Sequence, residues 1–82
     1  MSSAVLNASF VIQEIEPILV THYRRETGKS PTLYEFKQYI VSQAIEKLLD
    51  ILKSSDSSLL NSMSAKEVLA AINLYIRKLR VS

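Results

Sequence analysis

Residues 33–53 read LYEFKQYIVSQAIEKLLDILK, and the way this stretch folds decides what the rest of the chain can be. Thr32 stands before it with Glu35 three residues on, the spacing of a capping box, and Phe36 is placed to staple back onto Pro31. Neither glycine nor proline interrupts it, so the pattern predicts one helix over 32–53. Its apolar residues are Leu33, Phe36, Ile40, Val41, Ala44, Ile45, Leu48, Leu49, Ile51 and Leu52. On a helical wheel they cover roughly 220° of the circumference. One neighbour cannot shield so wide an arc. This helix is therefore expected to be central, touching both other helices and a second copy of the chain.

Breaks lie on either side of it. Thr27-Gly28-Lys29-Ser30-Pro31 holds the chain's single glycine, and Ser54-Ser55-Asp56-Ser57-Ser58 opens a serine-rich connection over 54–63. A free ten-residue loop would leave Leu59 and Leu60 wet, so both are expected to fold onto the core as a partial turn. Beyond it, Ser64-Ala65-Lys66-Glu67 is a second capping box, and Val68, Leu69, Ile72, Tyr75, Ile76 and Leu79 recur at helical spacing over 64–80. Leu74 points away from that stripe.

The first segment has two readings, because Phe10, Val11, Ile12, Ile15, Ile18, Leu19, His22 and Tyr23 fit a helical stripe that Pro17 interrupts. One reading is a kinked helix over about 8–26. The other leaves 9–15 extended and starts a helix at Pro17, the plan of dimeric ribbon-helix-helix DNA binders. The apolar middle segment favours the first.

With 82 residues, 48% of them apolar, and a net charge of +2, the chain is expected to form one domain over 1–82. Folding such a chain hides about 5,000 Å² of apolar surface, returning roughly 125 kcal/mol against roughly 120 kcal/mol for ordering it. A partner chain would relieve that balance, and the absence of cysteine excludes disulfides, zinc fingers and thiol catalysis. No apolar run approaches the roughly 18 residues of a membrane span, and the start at Met1–Asn7 lacks the charge and apolar core of a signal peptide. A cytoplasmic protein without membrane contact is expected.

Chemistry finds little support. His22 is the sole imidazole and has no serine elbow beside it; it reads as a half-buried edge or a cation at a helix end. Glu14 with Glu16, and Glu46 with Asp50, read as solvated helix faces. Glu26-Thr27-Gly28-Lys29-Ser30 lacks the first glycine of a P-loop and reads as a helix cap. No catalytic, cofactor-binding or metal residue is assigned, and no enzyme is expected.

The expectation is thus an all-α, three-helix antiparallel bundle that pairs as a homodimer. It is read as a non-enzymatic interaction module, a small regulatory, adaptor or chaperone-like protein that docks itself or another helical protein. Tyr39, Val41, Ile45, Leu49, Leu52 and Leu74 are the expected interface residues. The alternative is a small dimeric transcriptional regulator. It would hold DNA phosphates through Arg24, Arg25 and Lys29 at the end of the first helix and Arg77, Lys78 and Arg80 at the end of the last.

Overall fold

The computed structural model describes residues 3–81, with side chains from residue 10 onward. Every regular element among them is helical: α1 Ser3–Thr27, α2 Leu33–Ser42, α3 Ile45–Lys53, α4 Ser58–Ser62 and α5 Ala65–Val81. The all-α expectation holds, but five helices replace the expected three. None of them is long and apolar enough to cross a membrane.

The main correction falls on residues 32–53. Gln43 and Ala44 are both extended, with ψ of 148° and 142°, and they divide the stretch into α2 and α3. The reason lies in the phase of the apolar residues. Leu48 and Leu52 repeat the spacing of Phe36 and Ile40 twelve positions later, which on one straight helix is about 120° of rotation. All four are buried at 3% exposure or less. Breaking the helix lets both pairs face one core, so the broad arc of the wheel is two ordinary stripes drawn on one axis. Ser42 assists, because its hydroxyl donates to the Tyr39 carbonyl at 2.8 Å and occupies one of the acceptors at the end of α2.

Ala44 is the N-cap of α3 and gives it no side-chain acceptor, although its carbonyl accepts from the amides of Lys47 and Leu48. Ala44→Asp is therefore expected to stabilise the protein by about 1 kcal/mol in urea unfolding. In an unbroken helix the same change would lower stability by several tenths of a kcal/mol.

The other boundaries follow local chemistry. Gly28 ends α1 with φ at 77°, its amide donating to the Arg24 carbonyl at 2.8 Å, as the sequence reading of a glycine cap requires. Both capping boxes are formed: the Thr32 and Ser64 hydroxyls accept from the amides of Glu35 and Glu67, whose carboxylates accept from the amides of Thr32 and Ser64. Residues 9–15 are helical, which removes the strand alternative, and α1 passes through Pro17.

The connection over 54–63 contains α4. Ser57 caps it by accepting from the Leu60 amide and donates to Glu14 Oε1 at 2.7 Å, tying the turn to α1. At its other end Lys53 Nζ donates to the carbonyls of Leu60 and Met63, at 3.3 and 2.8 Å. Leu60 is fully buried as expected; Leu59 is not, being 37% exposed.

The helices α1, α3 and α5 pack pairwise against one another, α4 lies on α1 and α3, and α2 lies on α5. Val11, Ile15 and Leu19 meet Leu48, Leu52, Val68, Ile72, Tyr75 and Leu79 in one core, with Phe36, Ile40 and Leu60 added by the short helices. Val11 and Glu14 share a groove with Glu67, and further along burial, then the Glu16 carboxylate, push the Tyr75 phenol up. Thus α1 and α5 run side by side in the same direction, and both end at one pole of the molecule.

Candidate functional site

The expected interface residues do not form one exposed flank. Leu52 is wholly enclosed by its own chain, a consequence of the break at Gln43 and Ala44 that turns α3 inward. Val41, Ile45 and Leu49 are half-buried. Tyr39 meets the Tyr23 ring edge-on at a centroid distance of 5.1 Å, and its hydroxyl donates to Glu26 Oε1 at 3.1 Å. Burial, then the Glu26 carboxylate, push the Tyr39 phenol up to about 12. Its contacts join α2 to α1. Leu74 stays 43% exposed on the outer side of α5.

Two concavities stand out among the described residues. The larger, about 550 Å³, lies between α1 and α3 and is lined by Pro17, His22, Arg25, Asp50, Ser55 and Asp56 among others. It gathers two serines, an imidazole and carboxylates, yet no hydrogen bond joins His22 to any of them. The Ser55 hydroxyl instead donates to the Leu52 carbonyl at 2.6 Å. His22 Nε2 lies 3.4 Å from Glu26 Oε2, within ion-pair reach but without hydrogen-bond alignment. A nucleophile held by a base and a base held by an orienter are therefore not assembled here. Among the described residues no group of carboxylates and imidazole is arranged to hold a metal ion.

The smaller groove, about 370 Å³, has the opposite character. Phe10, Val11, Leu59 and Met63 form its apolar lining, and Gln13, Glu14 and Glu67 stand with them. Phe10 is 62% exposed, so its phenyl ring stands largely free of the core, as the side chains of Leu33 and Tyr34 do elsewhere. The rim carboxylates are already engaged, Glu14 by the Ser57 hydroxyl and Glu67 by the Ser64 amide. Sequence reasoning placed Phe10 in the stripe of α1 and Leu59 on the core. The available signal was their phase: Phe10 lies about 100° round the helix from Val11, whose row continues through Ile15 and Leu19.

Compared with protein-family models, with curated proteins and with solved structures, the chain matches none. Its own geometry alone bears on what it does.

The basic residues are placed together. With α1 and α5 ending at one pole, Arg24, Arg25 and Lys29 share it with Arg77, Lys78 and Arg80, and all six are exposed. Arg24 Nε donates to Ser30 Oγ at 2.9 Å, and Arg25 reaches the larger cleft. Close by, Leu33 and Tyr34 open α2 at 72% and 70% exposure.

Proposed function

We propose that this protein is a non-enzymatic helical interaction module, a small regulatory or adaptor protein of the cytoplasm, and that it works as a homodimer. The observation that carries this reading is Phe10 standing exposed beside a groove that would receive a phenyl ring. A two-fold interface needs a patch that complements itself, with knob and hole side by side on the same surface. In that arrangement the Phe10 ring of each copy fills the groove of the other, against Val11, Leu59 and Met63.

Burying a phenylalanine side chain is worth about 1.5–3 kcal/mol, and the symmetry supplies it twice. Lys66, exposed on the first turn of α5, gives each copy a cation to meet the rim carboxylates of the other. The half-covered flank of Val41, Ile45 and Leu49 offers less free apolar surface, so the docking surface moves from the middle of the chain to the N-terminal half of α1.

Phe10→Glu is expected to leave the helical circular dichroism unchanged and to convert the dimer to monomer at tens of micromolar in sedimentation equilibrium. Leu49→Glu distinguishes the two surfaces. If Leu49→Glu dissociates the dimer and Phe10→Glu does not, the groove assignment is wrong and the α3 flank is the interface.

A further inference from the structure

We infer that the pole where α1 and α5 end binds single-stranded nucleic acid, its cations holding phosphates while the Tyr34 ring stacks on an unpaired base. The first observation is charge. Residues 24–35 and 77–81 carry six of the chain's ten cations, against Glu26 and Glu35 within them and Asp50 and Asp56 in the cleft that Arg25 reaches. Glu26 is occupied by Tyr39 and His22, and Glu35 by the Thr32 amide. None of the six cations forms an ion pair among the described residues. Complementing a helix dipole calls for a cation within the last turn. Lys29 lies past the end of α1, beyond the turn in which a cation complements that helix.

The second observation is the exposed aromatic ring. Tyr34 sits in the first turn of α2, five residues after Lys29, with 70% of its surface free. A largely exposed tyrosine a few residues from a cation is the kind of element on which single-stranded binders stack bases. Four of the six cations are arginines, whose planar guanidinium matches two phosphate oxygens at once and also stacks on bases.

Duplex recognition fits less well. A helix that reads a groove presents polar donors and acceptors to base edges, whereas α2 opens with Leu33, Tyr34 and Glu35. A bilayer surface would use Leu33 and the exposed Val81 but would have no need of arginine forks or a stacking ring.

Fluorescence anisotropy of a labelled twenty-nucleotide oligothymidine decides the matter. The full chain is expected to bind at 50 mM salt and to weaken on the order of tens-fold by 200 mM, as several released counterions require. The double variant Arg77→Glu, Lys78→Glu should lose at least tenfold, and Tyr34→Ala about five- to a hundredfold, both with unchanged circular dichroism. Absence of binding at 50 mM salt overturns the inference. So does a duplex of equal length binding as tightly, or capture by phosphatidylserine vesicles without capture of the oligonucleotide. Full affinity in Tyr34→Ala would remove the stacking role.

Discussion

Leu48→Ala is expected to lower the unfolding free energy by about 2–5 kcal/mol, the range for emptying a closed leucine site. Leu48 has no exposed surface, and its helix α3 packs against α1, α4 and α5 at once. A cavity there is therefore shared by the elements that make the core, with no single mobile neighbour to collapse into it. A domain of this size has little stability beyond that amount, so the variant should melt some 10–30 °C lower and be partly unfolded at 37 °C. Leu74→Ala is the control. Its side chain is 43% exposed on α5, and the same truncation should change stability by about 0.5 kcal/mol or less. Equal effects at the two leucines in urea titrations would contradict the packing described here.

Pro17→Ala is expected to act in the opposite direction, raising stability by about 2 kcal/mol. Pro17 lies inside the 25-residue helix α1, has no amide hydrogen to give the Gln13 carbonyl, and crowds the preceding turn with its ring. Relative to alanine such a residue costs about 3 kcal/mol in a helix interior. Part of the gain is returned, because alanine loosens the unfolded chain by about 0.4–1 kcal/mol. Pro17 is exposed and lines the larger cleft, so no core packing is lost with it. A loss of stability in Pro17→Ala would show that α1 does not run unbroken through this position.

Much of the fold could be read from short-range chemistry. The Ser64 and Thr32 capping boxes, the glycine cap at Gly28 and the stripe of α5 each depend on residues within one or two turns, and each is where the sequence placed it. The break at Gln43 and Ala44 was harder to see, because neither residue is a helix breaker and both flanking segments are helical. Its cause is tertiary: Phe36 and Ile40 must face the same core as Leu48 and Leu52. The phase jump between those pairs is present in the sequence, but read on a single axis it looks like excess girth. Leu59 and Leu60 show the same limit. Neighbours of equal hydrophobicity, one is enclosed and the other left at the surface by the turn that Ser57 and Lys53 fix from either end. The surface consequences follow from these two points. Leu52 has no free surface because α3 turns inward, and Phe10 and Leu59 border a groove that α4 leaves beside them.

The two surfaces at opposite ends of α1 should respond differently to salt. Counterion release would weaken the proposed phosphate binding at the basic pole, while the proposed apolar anchor in the groove would be largely insensitive to salt or strengthened by it. Sedimentation equilibrium of the wild-type chain and of Phe10→Glu, across one to a hundred micromolar, tests the central claim most directly. The account predicts a wild-type dimer and a folded monomeric variant; a wild-type chain that stays monomeric throughout that range would contradict it.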